Sequence, residues 1–394
     1  MRVLIAPDGF GGTLTARQAA EAIRAGWSEA APGDDLRTCP LADGGPGFLD
    51  TLRADLGGDL LAVTVRSPLG ALTPAAVLVV EADDATRTAY VESAHATGLT
   101  LVPREQRDPT RTSSAGVGEL VRAAVATGAR RVVVGLGGSA TNDAGAGMLA
   151  ALGVGGPGSP LMRGGGALSA VEPHDLAGLR AVREELRGVE LLAACDVDVP
   201  LLGLHGASAG FAAQKGATPE QAQDLERALG HFAHAAVAAL GDAVRPDLLQ
   251  PRAATSAAAR LTSLPGAGAA GGLGFGLALL GARLVPGSAL VADAVHLAHR
   301  IADVDLVVTG EGTFDWQSLH GKVVAAVAER ALDVAVPAVV IAGQVELGRR
   351  EWGAAGVAGA YAVAQSPAEV EASMADPAGM LRRRAARVAQ TWSR

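Results

Sequence analysis

The feature that most constrains the fold of this chain is a strand-like run that empties into a glycine-rich turn and restarts as a helix. Arg130-Arg131-Val-Val-Val134 is a short β-branched run that reads as a buried strand. Gly135-Leu-Gly-Gly-Ser-Ala-Thr-Asn-Asp-Ala-Gly145 follows it, and Gly147-Met-Leu-Ala-Ala-Leu152 reads as the first turns of a helix. Four glycines in the turn let the backbone come close to another group. Ser139, Thr141 and Asn142 offer side-chain donors and Asp143 a carboxylate, at a helix N-terminus whose dipole favours an anion. A phosphate or carboxylate site needs these parts; a plain βα turn capped by Ser, Thr and Asn is the alternative.

Residue usage sharpens the choice. Asn142 is the only asparagine, and of the 33 basic residues only Lys215 and Lys322 are lysines. A chain that uses arginine almost everywhere keeps lysine where a compact, rotatable ammonium serves better than a planar fork. Both lysines lie beside glycines, in Gln214-Lys215-Gly216 and Gly321-Lys322. Codon bias with two chance survivors is the competing explanation.

At 394 residues the chain exceeds one ordinary core, so two domains are expected. With 49% hydrophobic and 19% charged residues there is ample material for buried sheets. Aromatics make up only 3% while glycine reaches 52, so the cores must be small-residue and closely packed. The net charge of −8 argues against nonspecific nucleic-acid binding. Cys39 and Cys195 form no metal or redox pattern and read as isolated buried thiols, which fits a reducing cytoplasm. The N-terminus enters a strand directly and lacks a signal-peptide layout. The uncharged stretch 264–282 holds Pro265 and seven glycines, and reads as a glycine-rich loop running into a buried helix rather than a membrane span.

Along the chain, residues 2–7 read as a strand that delivers Asp8 to its C-terminal end, and Thr15 caps a helix running to about residue 30. Ligands of open α/β sheets collect beyond strand C-termini, which makes Asp8 a candidate. Asp43-Gly44-Gly45 forms a second acidic glycine loop ahead of a helix near 48–56. Three runs, 60–66, 75–81 and 88–92, have short connections (67–70 and 82–85) that suggest antiparallel hairpins. Segments 155–160 and 164–166 read as turn-rich surface. A strand at 190–194 delivers Asp196 and Asp198, which alternate so that only one can face a site. His231 with His234, and His296 with His299, read as ordinary helix-face histidines. Gly266-Ala-Gly268-Ala-Ala-Gly271 matches the dinucleotide fingerprint literally, but no strand precedes it. A strand at 305–309 then delivers Glu311 and Asp315, and another at 338–342 ends in Gly343.

Strand-end loops thus supply Asp8, Asp43, Asp143, Asp196, Glu311 and Asp315 with Lys215 and Lys322. Acids, glycine loops and a lysine or two suit metal–nucleotide chemistry: magnesium takes one or two carboxylates plus phosphate oxygens, and lysines balance charge on a transferring phosphoryl. There is no P-loop and no Gly-x-Ser-x-Gly elbow.

The chain resembles the bacterial glycerate kinases of the type-1 group. The resemblance is carried, in order, by Ala6-Pro-Asp8-Gly-Phe10, Leu41-Ala-Asp43-Gly-Gly45, Val91-Glu92-Ser-Ala, the 135–143 loop, Gly206-Ala-Ser208, Gln214-Lys215-Gly-Ala217, the 266–272 glycine segment, and Thr309-Gly-Glu311-Gly-x-x-Asp315-x-Gln317-Ser-Leu-x-Gly-Lys322. It implies ATP- and Mg²⁺-dependent phosphorylation of D-glycerate, with 2-phosphoglycerate as the expected product. It also implies two different α/β domains, one inserted into the other, with the active site in the interdomain cleft. The expected division is a discontinuous Rossmann- or flavodoxin-like domain, 1–65 with 285–394, and an inserted α/β domain, 66–284.

On this reading Asp43, Asp196 and Lys215 are catalytic, with the choice of base between the two acids open. Gly137, Gly138, Ser139, Thr141, Asn142 and Lys322 bind the nucleotide, Glu311 and Asp315 the metal, and Asp8, Gly44 and Gly45 the substrate. The expected partner is a small hydroxy acid, neither nucleic acid nor membrane, with a homodimer left open. The chain departs from the usual pattern in three places. Gly9 and Gly11 stand where the family usually has Ser and Lys, Pro46 stands for Glu, and Val199 for Asn. Loss of a lysine beside an anionic substrate costs on the order of several kcal/mol of transition-state stabilisation unless an arginine replaces it. A kinase for a related hydroxy or sugar acid and a non-catalytic ligand-binding relative are therefore the alternatives.

Overall fold

The computed structural model describes residues 1–81, 86–244, 257–319 and 321–393. Its strands in chain order are β1 (Arg2–Ile5), β2 (Asp35–Thr38), β3 (Asp59–Arg66), β4 (Leu72–Glu81), β5 (Arg87–Glu92) and β6 (Arg131–Gly135). They continue with β7 (Glu190–Ala194), β8 (Arg283–Val285), β9 (Leu306–Thr309), β10 (Thr313–Phe314), β11 (Ala338–Ala342), β12 (Gln344–Val345) and β13 (Val357–Ala362). The chain divides into two compact α/β units: Met1–Asp43 with Asp50–Gly57 and Pro286–Arg394, and Gly44–Leu49 with Gly58–Val285. After the brief excursion Gly44–Leu49, the chain passes into the second unit for good at 57/58, ahead of the expected 65. The reason is local: β3 pairs over its whole length with β4, from Asp59↔Val79 to Arg66↔Leu72, and so belongs to the second sheet.

The first unit carries a five-stranded sheet, β2-β1-β9-β11-β13, with every adjacent pair parallel. Counted within the unit this is the order 2-1-3-4-5, the flavodoxin-like arrangement, whose switch point lies between β1 and β9. The strands are apolar on both faces because helices cover both. Val339 and Ile341 join Val3, Ile5, Ile23 and Trp27 in one cluster, whereas Val340 and Ala342 join Phe314, Val324 and Ala328 in the other. Thr15 closes a capping box with Gln18 at the start of the helix Ala16–Ala30. That helix packs on Pro377–Trp392 so closely that a Cβ on Gly26 would lie 2.0 Å from the Arg382 carbonyl oxygen.

The second unit carries a mixed six-stranded sheet, β3-β4-β5-β6-β7-β8. β3, β4 and β5 are antiparallel neighbours, as the short connections suggest; the 82–85 connection lies outside the described residues. From β5 onward the pairs are parallel, and their register puts Glu92, Gly135, Ala194 and Val285 on one line across the sheet. The chain therefore leaves β5, β6 and β7 along a common edge. Helix Ala115–Ala126 contributes Val117, Leu120, Val121 and Ala124 to the core on one face. Helix Pro219–Leu240 contributes Leu229, Phe232 and Ala236.

Two surface expectations are corrected. Gly164 and Gly165 are buried, because a Cβ on Gly165 would lie 2.2 Å from the Asn142 carbonyl oxygen. His296 is not on a helix face but in the break between Gly287–Ala294 and Leu297–Ala302, at φ 52°. The ring of His231 does lie on its helix, with Nε2 2.8 Å from the Val171 carbonyl oxygen. Among the described residues no helix is long and apolar enough to cross a membrane; 264–282 instead holds the buried helical segment Ala269–Leu279.

Candidate active site

In the second unit the 135–145 loop leaves the C-terminal end of β6, and its polar side chains turn inward: Ser139 is 3% exposed and Thr141, Asn142 and Asp143 are fully buried. Asp143 accepts from the Ser114 amide (2.8 Å), the Ser114 hydroxyl (2.9 Å) and the Gly145 and Gly147 amides (3.2 Å each). Burial pushes its carboxyl up, and those four donors pull the other way. The expected anion at this helix N-terminus is thus the protein's own Asp143, which takes the orphan amides that a ligand phosphate would have used. Packing also requires glycine at two positions of the loop. A Cβ on Gly135 would lie 2.5 Å from the Gly44 carbonyl oxygen, and one on Gly137 would lie 2.6 Å from Gly45 Cα.

Lys215 meets this loop from the far side. It is 3% exposed, and its Nζ donates to Ser139 Oγ (3.2 Å) and to the Thr141 carbonyl (2.8 Å). Burial lowers it to about 7, with the Asp143 charge opposing. Asn142 donates to Ser208 Oγ (3.0 Å), while Asn142 Oδ1 and Thr141 Oγ1 are buried without a hydrogen-bond partner. In the sequence Ser208 stands out only within Gly206-Ala-Ser208, and nothing in its spacing shows that it meets Asn142.

The 266–272 segment braces the loop from behind. Ala270, Gly271 and Gly272 are consecutive left-handed residues (φ 51°, 72° and 87°), and the Ala144 amide donates to the Gly271 carbonyl at 3.0 Å. A Cβ on Gly271 would lie 1.9 Å from the Thr141 carbonyl oxygen. These glycines therefore permit backbone-on-backbone contact, and the literal dinucleotide fingerprint is a brace. Asp196, at the end of β7, is half-buried and Asp198 exposed. Glu92, at the end of β5, accepts from the Gly47 and Leu49 amides at 3.1 Å each.

In the first unit the switch point collects the remaining acids. The Asp8 amide donates to the Gly310 carbonyl (2.8 Å), and Asp8 Oδ1 accepts from Gly9 N (2.6 Å). The Leu41 amide donates to the Pro7 carbonyl (2.9 Å), which brings the Asp43 segment beside the end of β1. Glu311, just past β9, is 8% exposed, and its Oε1 has no hydrogen-bond partner. Burial raises its carboxyl to about 7; the Ser318 hydroxyl and Lys322 lower it, and Asp315 and Asp43 raise it. Asp315 spends Oδ1 on the Gln317 (2.8 Å) and Ser318 (3.2 Å) amides, capping the turn Trp316–Leu319. Lys322 precedes the helix Val323–Asp333 and is half-buried.

Asp43, Glu311, Asp315 and Lys322 thus form one electrostatic group in the first unit, with Asp8 on the adjoining loop. Gly137, Gly138, Ser139, Thr141, Asn142 and Lys215 form another in the second, with Asp196 on the next strand. Among the described residues no three His, Cys, Asp or Glu side chains cluster as a metal cage. The open kind of site, with one or two carboxylates completed by phosphate oxygens and water, fits Glu311 and Asp315, because a buried carboxylate oxygen without a donor lacks a cation.

The comparisons with known proteins agree along the chain. The model of the glycerate kinase family matches residues 3–393. A glycerate kinase of Bacillus subtilis is 43% identical over 349 residues, covering 88% of this chain and 85% of its own. A glycerate 2-kinase of Escherichia coli K12 is 40% identical over 347 residues, covering 87% and 85%. The crystal structure of a Salmonella typhimurium LT2 protein assigned as a glycerate kinase 2 superposes with TM-score 0.75 at 37% identity, covering 99% of this chain and 98% of that one. This chain belongs to the glycerate kinase family and is an enzyme of the kinase class.

Proposed function

We propose that this protein transfers the γ-phosphoryl group of ATP to a hydroxyl of D-glycerate in the cytoplasm, with 2-phosphoglycerate as the product. The observation that carries the reading is Glu311: a buried carboxylate with an unpartnered oxygen, flanked by Asp43, Asp315 and Lys322 at a strand-end switch point. Glu311 and Asp315 would hold Mg²⁺, which would supply positive charge against the transferring phosphoryl group. Lys322 adds a cation beside those phosphates. The amides of Gly137 and Gly138 with the side chains of Ser139, Thr141 and Asn142 cradle phosphate oxygens, and Lys215 balances the charge that develops during transfer. Asp43 or Asp196 takes the proton of the acceptor hydroxyl. Asp8, Gly44 and Gly45 shape the acceptor's place.

A coupled ADP-release assay with D-glycerate tests this, and the position of the phosphate in the product, read by phosphorus-coupled NMR, tests the isomer. Lys215→Ala with an unchanged kcat/KM would remove that residue from the mechanism.

One observation favours a second reading, a kinase for a related hydroxy acid. Gly11 stands at φ 52°, a backbone conformation that favours glycine, where the family usually has a lysine. A panel of D-glycerate, tartronate and longer aldonates separates the two by kcat/KM. A relative that only binds would release no ADP with any of them.

A further inference from the structure

Beside Lys215 the second unit holds a cavity of about 600 Å³ lined by Arg104, Arg107, Ala213, Gln214 and Gly216. Among the described residues neither arginine has a carboxylate partner, in a chain with 41 acidic side chains against 33 basic ones. Arg104 is exposed and its side chain makes no hydrogen bond among the described residues; Arg107 is half-buried and makes only long bonds, Nε to the Val102 carbonyl (3.4 Å) and Nη2 to the Leu99 carbonyl (3.3 Å). Nearby acids do not compensate them. Asp108 is spent on the Thr110 amide (3.0 Å) and hydroxyl (2.6 Å), and Glu105 pairs with no one among the described residues.

The cavity is tied to the glycine loop by short steps. The Leu99 amide donates to the Gly138 carbonyl (2.8 Å), Gly98 bridges Ser139, and Ser139 Oγ accepts from Lys215. On the other wall a Cβ on Gly216 would lie 2.2 Å from the Arg107 carbonyl oxygen, so the residue after Lys215 is pressed against the backbone of Arg107. A guanidinium held only by two long bonds to carbonyls, with no carboxylate partner among the described residues, can turn its donors to a planar carboxylate in the cavity. The lining has no aromatic ring for a nucleobase.

We propose that Arg107, with Arg104 behind it, receives the carboxylate of the acceptor and sets the specificity for an acid over a neutral polyol. The proposal rests on the acceptor being a hydroxy acid, as proposed above.

The test compares wild type, Arg107→Ala, Arg107→Lys and Arg104→Ala in steady-state kinetics with D-glycerate and ATP. A lost charge-assisted bidentate contact is worth about 10- to 100-fold in binding. Arg107→Ala is expected to raise KM for D-glycerate by that factor, with kcat changed less than about threefold and KM for ATP unchanged. Arg107→Lys falls between, Arg104→Ala shows a smaller rise, and added guanidinium ion partly restores Arg107→Ala. A rise in KM for ATP instead, a parallel fall of kcat and melting temperature, or no change overturns the proposal. If the wild type releases no ADP with D-glycerate, the glycerate reading itself fails. The arginines are then read by calorimetric titration of D-glycerate: binding to wild type lost in Arg107→Ala supports them, and equal or absent binding overturns them.

Discussion

Lys215 is an ammonium kept in the interior with a hydroxyl, a carbonyl and the charge of Asp143 for company. Its proton is held less tightly in the folded state, about 7, than at the ordinary value of 10.5. Between those two pH values the unfolded chain carries a proton there that the folded chain has released, so this residue makes stability rise with pH across that window. Lys215→Met is expected to lack that rise, which denaturant titrations at about pH 7 and about pH 10 would reveal as a difference of a few kcal/mol between the two proteins' slopes. An identical pH profile would show that the lysine is not desolvated as described. In catalysis Lys215→Ala should lower kcat by about 10²- to 10³-fold, the cost of removing one preorganised charge-stabilising donor.

At the scale of the element, the glycine loop is held by bonds to distant segments rather than by its own sequence. Asp143→Asn replaces one acceptor oxygen by a donor facing amides, and should destabilise by about 2–4 kcal/mol in urea titration. Gly271→Ala forces a methyl onto the Thr141 carbonyl at φ 72°, and is expected to cost more than about 3 kcal/mol or to prevent folding. A Gly271→Ala protein with wild-type stability would contradict the bracing role. These two residues also show where reading the sequence stopped. The strand, the turn and the helix of residues 131–152 were legible, because apolar runs and glycines report local backbone. The partners were not: Ser114, Ser208, Gly44, Gly45 and Gly271 meet the loop only through tertiary packing, so which glycines must also admit neighbouring backbone could not be read from the turn itself. Asp143 was misread for the same reason.

At the scale of the molecule, two α/β units divide the chain, and each places polar residues beyond the C-terminal ends of its parallel strands. The alternation of α and β was visible from apolar runs such as residues 338–342, whose strand is buried throughout. The strand order 2-1-3-4-5 was not, because order depends on which edges pair. The pairing of β3 with β4 was legible from their short connection, whereas the unit to which β3 belongs was not. The group at the switch point was legible as chemistry, since Glu311, Asp315 and Lys322 lie within one motif; that Glu311 is buried and short of a donor was not. The central claim is that this group serves phosphoryl transfer to D-glycerate. The direct measurement is coupled ADP release by the wild type and by Glu311→Gln, with Mg²⁺ and ATP, in the presence and absence of D-glycerate. The account predicts release that depends on D-glycerate and falls at least about 100-fold in the variant. Release that ignores D-glycerate, or a variant as fast as the wild type, would contradict it.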